Sequence, residues 1–570
     1  MAEKYDYYQF LIDTLKSWGI TLYTGVTGGG VIHYLKYLDT LHDTSSGKPE
    51  FFTFGEYNAG FVPLGYYLAS GKIAAAVATT GAATKLLACG LSDAKLHDIP
   101  AVYIVPVSAK NTLGCSPLQD TSIYGSNMIE QLRAELPNSV FVLDDPSILA
   151  EQLALAKALL DNSKPVVFVL VNESLNITVD EVPAIPAVAP YTVENGRFDD
   201  FTAIFRQAID GKRLVILVGE EMARYTDALE LTSAFSKQFQ AAVIWSINGA
   251  NAVSRDNPYG YGYIAFGGND KALNMYDSLG DDDVLMVLGA CPDEYTVNLN
   301  LFTASHTFFV GNIPKAYGLV KNSLFHIAKG KYYHMHGAID MVLRSLIDTA
   351  KQQPFANIPV EPAPEDLNNS SFPIPGKGYV DMVKLYQQLD KWWPAGSIGF
   401  DDVCLSYKDR QYVTQRPNNN IHFYSLYRGS AMGGAFGVAV GAKLSKPEQP
   451  VFLFTGDGCF RLFSGSLGEV SDLGLVVFLL NNETLSIVEQ GLIKILPDVP
   501  EERYHSALKP VDYCSIARAY GWDAEKLNPD LSNFNELLVK KRSRSCRSLL
   551  IEVAVDPHQL LGANPRLRNL

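Results

Sequence analysis

Short runs rich in Val, Ile, Leu and Phe recur along this chain, each ending in a polar or glycine-containing turn and leading into a longer stretch whose apolar positions have helical spacing. That alternation builds parallel sheets covered by helices on both faces. Strands are expected at 20–23, 73–78, 102–105, 140–143 and 166–171, at 214–218, 242–245, 284–288 and 307–310, and at 397–400, 451–454, 475–480 and 549–553. Two breaks divide the series. Residues 182–190 hold three prolines, and residues 352–375 hold six, with Asn and Ser, too broken for a regular element. The expected fold class is α/β, with three doubly wound parallel-sheet domains at 1–185, 190–352 and 376–570. The first and third could share one architecture.

A length of 570 residues, 47% of them hydrophobic and 19% charged, supplies several large cores and leaves little room for disorder. The formal charge of −14 disfavours nucleic acid and anionic membrane surfaces as partners, because both reward excess Lys and Arg. No stretch approaches a membrane span, and residues 1–10 show no secretory signal. The seven cysteines are scattered, with no pair two or three residues apart, so reduced thiols in the cytoplasm are expected rather than a zinc site or redox pair.

The most informative stretch begins at the apolar run Val451-Phe452-Leu453-Phe454, which leads into Thr455-Gly456-Asp457-Gly458. A second apolar run, 475–480, ends in Asn481-Asn482, 25 residues after Asp457. In a parallel sheet both runs deliver their last residues to the carboxyl-end edge, where ligands bind. A carboxylate oxygen, an amide oxygen and a backbone carbonyl are hard ligands of the kind magnesium prefers. Gly456 and Gly458 let backbone N–H groups approach a diphosphate closely. Either half alone would read as a loop; together they point to a magnesium–diphosphate site.

This pattern resembles the signature of the thiamine-diphosphate-dependent enzymes, and the three-domain layout resembles the pyruvate oxidase, acetolactate synthase and pyruvate decarboxylase group over nearly the whole chain. The resemblance implies a pyrimidine-binding first domain, a central domain and a diphosphate-binding third domain. It implies thiamine diphosphate and Mg2+ as cofactors, with the metal held by Asp457, Asn482 and the backbone carbonyl of Thr484. The central domain binds FAD in some relatives. Here the glycine stretch 260–268 lacks a dinucleotide fingerprint, and tightly bound flavin is not expected.

Further matches follow. In Gly429-Ser430-Ala431-Met432-Gly433, which alone reads as a closely packing helix start, Met432 resembles the bulky residue that props thiamine in its bent form. Glu56, in Phe54-Gly55-Glu56-Tyr57, follows a short apolar strand and reads by itself as a first-turn carboxylate favoured by the helix dipole. By resemblance it is the carboxylate that hydrogen-bonds the pyrimidine N1′, and a raised pKa would let it share its proton there. Two glycine-rich turns, 25–30 and 78–83, carry Thr27 and Thr80, assigned to the substrate pocket and the cofactor. Relatives often have His in place of Gly55 and Pro-Gly in place of Ala82-Ala83, which leaves the subfamily open.

The loop 111–128 lacks the His-His pair of pyruvate decarboxylases, and its Leu118-Gln119-Asp120 resembles the Phe-Gln-Glu of acetolactate synthases. Gln119 then serves as a donor to a substrate oxygen, or equally as a surface amide. After Asn482, the apolar Ile487 and Val488 resemble the pocket lining of the carboligases. His97 reads as a helix C-terminal histidine or as a polar wall of the pocket. Cys404 stands where relatives often have Gly. The activity expected is carboligation or decarboxylation of a 2-oxo acid. Two alternatives stay open: C–C hydrolysis of a diketone, and a catalytically silent cofactor-binding subunit. A homodimer or homotetramer with the site between subunits is expected by resemblance.

Overall fold

The computed structural model describes residues 5–42, 47–188, 197–318, 328–369, 371–540, 546–562 and 564–569. Among these the chain forms three sheets, of seven, six and six strands, and every ladder between strands is parallel. In space the first runs Asp39–Thr40, Glu50–Thr53, Leu22–Gly25, Ala75–Val77, Val102–Pro106, Val166–Leu170, Val140–Leu143. The second runs Gly260–Tyr263, Ala242–Trp245, Arg213–Val218, Asp283–Leu288, His306–Gly311, Lys331–His336. The third runs Ile421–Ser425, Ser397–Asp401, Val451–Gly456, Val476–Asn481, Leu549–Ala554, Asp523–Lys526.

Numbered along the chain within each sheet, and setting aside the two-residue Asp39–Thr40, the first and third share the order 2-1-3-4-6-5. The two terminal domains therefore have one architecture. The central sheet has the order 3-2-1-4-5-6. In each case the order reverses beside strand 1, and connections leaving on opposite faces open a crevice at the carboxyl ends of the flanking strands.

The expected strands are present with ends displaced by a residue or two. Ile20 falls outside the first strand because its N–H closes the preceding helix on the Leu15 carbonyl. The strands absent from the sequence reading are Asp39–Thr40, Gly260–Tyr263, Lys331–His336, Ile421–Ser425 and Asp523–Lys526. The glycine stretch 260–268 is thus in part an edge strand. Of the two proline-containing stretches, 182–190 ends outside the described residues. The other, irregular as expected, is docked: Ile358 bridges Arg213, Leu367 is buried, and the Asn368 amide donates to the Tyr412 carbonyl at 2.7 Å.

The terminal domains meet where helix Val62–Ser70 crosses helix Gly434–Ser445. A Cβ at Gly65 would run into the Val438 carbonyl, and one at Gly441 into that of Val62, so glycine on both helices permits backbone-to-backbone approach. Arg428, from the third domain, pairs with Glu220 and Asp293 of the central domain and donates to the Leu96 carbonyl of the first.

Asp93 is buried in the same seam, its carboxylate lying where a Cβ on Gly429 would fall. Burial pushes its pKa up to about 7, opposed by the Gly429 backbone and the Arg428 guanidinium. Between the ordinary 3.8 and about 7 the folded protein keeps a proton that the unfolded chain has released, so this group makes stability fall as pH rises through that window. Asp93→Asn, which cannot ionise, should raise the unfolding temperature by roughly 2–4 °C at pH 8 and by progressively less towards pH 5, as read by calorimetry.

Candidate active site

The third sheet reverses between Ser397–Asp401 and Val451–Gly456. The cavity at that point has an empty volume of about 830 Å³, including its open mouth. Its walls include Cys404, Met432, Gly456, Asp457, Gly458, Asn482, Thr484, Ile487 and Val488. Eight of these were named from the sequence as cofactor, metal or pocket residues, and they converge here from three connections of one sheet edge.

Asp457 does not sit in a β-turn; it opens helix Asp457–Phe463 directly after the strand. The residue is 2% exposed, and its Oδ2 is buried with no hydrogen-bond partner. Burial raises its pKa to about 6, opposed by the Gly458 backbone and by Arg461. An acceptor left in this state is costly unless a ligand meets it. Across the cavity the Asn482 amide donates to Ser486 Oγ at 2.5 Å, and its Oδ1 accepts the Thr484 N–H at 3.2 Å. Glu483 adopts φ +57, a left-handed turn that brings the loop against a distant segment: Leu485 N–H donates to the Ser506 carbonyl and Leu508 N–H to that of Glu483. Glu489 accepts from Thr484 Oγ1 at 3.1 Å and braces the same loop.

Among the described residues no three His, Cys, Asp or Glu side chains gather as a metal site. A cation here would have to share Asp457 with amide and carbonyl oxygens, a donor set that suits magnesium. Three helices, Ser406–Thr414, Asp457–Phe463 and Ser486–Ile495, start at the cavity wall, so their free N–H groups favour an anionic ligand there. A Cβ on Gly458 would lie 2.8 Å from Leu485 Cδ2 and 3.3 Å from Met432 Cε, so the Met432 side chain stands directly over the glycine turn.

The first-domain candidates gather at the corresponding edge of their own sheet. Glu56 follows Glu50–Thr53 and is half-buried as the first residue of helix Glu56–Ala59; Thr27 follows Leu22–Gly25 and is exposed. Thr80 Oγ1 donates to Gln119 Oε1 at 2.8 Å, joining two residues named separately from the sequence. Gln119 has φ +57 and lies over Gly81, where a Cβ would come within 3.0 Å of its side chain. None of these lines the Asp457 cavity of the same chain. His97 does not line it either. It caps the end of helix Ala82–Leu96, and its Nε2 accepts the Arg428 N–H at 3.2 Å. Burial, then Arg428 and Arg224, holds its pKa well below the usual range, so the ring is neutral.

The sequence reading passed over Asp401 and Asp402. Asp401 pairs with Arg410 and accepts from Ser406 Oγ at 3.0 Å, fixing the start of one cavity helix. Asp402 accepts from the Val403 and Gly433 amides and from Thr455 Oγ1. Burial pushes its pKa up to about 6. Two adjacent acids closing an apolar strand were the available signal.

Two family models match the chain: the N-terminal TPP binding domain of thiamine pyrophosphate enzymes over residues 6–131, and the C-terminal TPP binding domain over residues 404–553. The acetolactate synthase isozyme 2 large subunit of Escherichia coli (strain K12) is 26% identical over 524 residues, covering 90% of this chain and 89% of that protein. The acetolactate synthase large subunit of Lactococcus lactis subsp. lactis (strain IL1403) is 22% identical over 558 residues, covering 96% and 92%. The solved structure of Rhodococcus jostii RHA1 thiamine diphosphate-dependent 4-hydroxybenzoylformate decarboxylase superposes with a TM-score of 0.76 over 96% of this chain and 99% of that one, at 16% identity, a likeness of fold. Matches to the N- and C-terminal TPP binding domains of thiamine pyrophosphate enzymes, with acetolactate synthase large subunits similar over nearly the whole chain, place it among the thiamine-pyrophosphate-dependent enzymes that form or cleave carbon–carbon bonds, the group that includes the acetolactate synthases.

Proposed function

We infer that the protein is a thiamine-diphosphate- and magnesium-dependent carboligase or decarboxylase acting on a 2-oxo acid, with acetolactate-synthase-like chemistry. The observation that carries this reading is the buried, unpartnered Oδ2 of Asp457 opposite Asn482, at the mouth of three helix N-termini. Asp457, the Asn482 amide oxygen and the Thr484 carbonyl would hold Mg2+. Gly456 and Gly458 leave room for the diphosphate, and Met432 and Ile487 would face the thiamine rings. When bound, thiamine diphosphate supplies a carbon nucleophile that adds to the substrate carbonyl and accepts electrons as the adjacent bond breaks.

The chain's own residues do the rest. Glu56 would hold and return a proton at the pyrimidine N1′, across a subunit boundary, since it does not line its own chain's cavity. Thr80 engages the Gln119 carbonyl oxygen, which leaves the Gln119 amide N–H groups to donate to a substrate oxygen, with Thr27 on the same sheet edge. Val488, 53% exposed, would form the apolar wall. Exposed Leu118, Ile123 and Tyr124 on the first domain, and Leu462, Ile493 and Ile495 on the third, support an interface between copies in a homodimer or homotetramer.

The central crevice is lined by Glu220, Glu221 and Arg224, and the glycine stretch 260–268 carries no dinucleotide fingerprint, which supports the reading without tightly bound flavin. The three sheets lie within 1–185, 190–352 and 376–570, which supports those domain bounds. No helix among the described residues is long and apolar enough to cross a membrane, and all seven cysteines are free thiols, in keeping with a cytoplasmic site of action.

Incubated with thiamine diphosphate, MgCl2 and a panel of 2-oxo acids, the protein should release carbon dioxide and an aldehyde or 2-hydroxy ketone, identified by mass spectrometry. Cleavage of diketones without carbon dioxide would replace this reading with the hydrolase, and no turnover with the silent subunit. Asp457→Ala should weaken thiamine diphosphate binding in magnesium buffer by about two orders of magnitude or more in calorimetry, and unchanged affinity would remove Asp457 from the metal site. Glu56→Gln should slow exchange of the cofactor C2 proton, followed by NMR, by roughly 100-fold while affinity falls far less. Mixing that variant with Asp457→Ala should restore part of the activity, because mixed dimers regain one intact site; no recovery would place Glu56 within its own chain's site.

A further inference from the structure

The Met432 side chain can shape a bound cofactor only if its backbone is held still, and the backbone here is gripped in an unusual way. The peptide group joining Met432 to Gly433 has both of its polar atoms taken by buried or half-buried side chains from two different domains. Its carbonyl accepts from the Tyr57 hydroxyl at 2.5 Å, across the first-to-third domain seam. Its N–H donates to Asp402 Oδ1 at 3.0 Å. Gly433 has φ +81, a left-handed conformation in which a side chain would also meet the Cys459 carbonyl, so the peptide cannot relax by ordinary backbone adjustment.

Both holding groups are themselves anchored. The Tyr57 ring lies edge-on to Phe61 with centroids 5.3 Å apart, and the neighbouring Asn58 amide donates to Ser466 Oγ at 3.1 Å. Asp402 is buried, and its other oxygen accepts from Thr455 Oγ1 at 2.8 Å, two residues before Asp457. One carboxylate therefore ties the Met432 turn to the strand that delivers Asp457.

We propose that Tyr57 and Asp402 are positioning residues that clamp the Met432–Gly433 peptide from its two sides and so set the height of the Met432 side chain above the diphosphate cradle, the distance that decides how the thiamine rings are received. This rests on the reading of the cavity as a thiamine diphosphate site. A merely structural role for Tyr57 would loosen the domain seam and weaken every ligand of the cavity together. The clamp instead acts on the rings and leaves the diphosphate half alone.

The test uses the full-length protein, MgCl2, and two probes titrated by calorimetry: thiamine diphosphate and inorganic diphosphate. Tyr57→Phe keeps the ring and deletes one hydrogen bond. It should weaken thiamine diphosphate by about five- to tenfold, the worth of one such bond, with inorganic diphosphate unchanged. In a Met432→Ala background the same change should have no further effect on thiamine diphosphate, because the side chain through which it acts is gone. Equal weakening of both probes, an additive cycle, or no effect of Tyr57→Phe would each overturn the clamp. Failure of the wild-type protein to bind thiamine diphosphate would instead overturn the functional reading beneath it.

Discussion

A single buried guanidinium joins the three domains. The Arg428 side chain is 4% exposed; it pairs with Glu220 and Asp293 of the central domain and donates to the Leu96 carbonyl of the first, while its backbone N–H donates to His97. Removing a cation this completely from water costs several kcal/mol, and the cost is offset only because the acceptors are in place. The partners need Arg428 as much as it needs them, since two carboxylates would otherwise face each other in the seam. Arg428 also lies four residues before Met432. The root of the loop that overhangs the cavity is therefore set by the docking of all three domains.

Three acids at the edge of the third sheet show how differently a buried carboxylate can be treated. Asp401 is paired with Arg410 and bonded to Ser406, and Asp402 meets three donors. Asp457 keeps one buried oxygen without a partner. An unmet acceptor of that kind costs on the order of 1–3 kcal/mol. The first two hold helix starts and strand ends in register; the third keeps an oxygen free of the chain's own donors, as the proposed metal site requires. Helix N-termini around the same cavity add partial positive charge where an anion would rest, which supports the proposed metal and diphosphate site.

Legibility in the sequence followed position in the sheet. The interior strands, such as Val284–Leu288 within Asp283–Leu288 and Val451–Phe454 within Val451–Gly456, are buried on both faces and read as unbroken apolar runs. The strands that escaped notice are all at sheet edges: Asp39–Thr40, Gly260–Tyr263, Lys331–His336, Ile421–Ser425 and Asp523–Lys526. An edge strand has one neighbour and often a solvated flank, so Lys331–His336 reads Lys-Tyr-Tyr-His-Met-His, and Asp523–Lys526 is mostly charged. Their pairing is imposed by the neighbouring strand rather than by their own composition.

The sequence by itself determined the three-part α/β organisation and pointed to a magnesium–diphosphate site, because an apolar strand ending in Gly456-Asp457-Gly458 and another ending in Asn481-Asn482 are local patterns whose parallel pairing brings their ends together; thiamine entered through the family resemblance those motifs carry. Resemblance to the family then marked Met432, Glu56, Thr80 and Gln119. Only the tertiary structure decided what holds them. Tyr57 meets the Met432 carbonyl across 375 residues, and Arg428 meets His97 across 331. Ser506 and Leu508 brace the Asn482 loop from a segment with no motif of its own. A hydrogen bond between side chain and backbone places no constraint on the residues around its donor, so nothing in the neighbourhood of Tyr57 announces its bond to Met432. It exists because two sheets of the same architecture dock through glycine-faced helices, and that docking is a property of the whole chain.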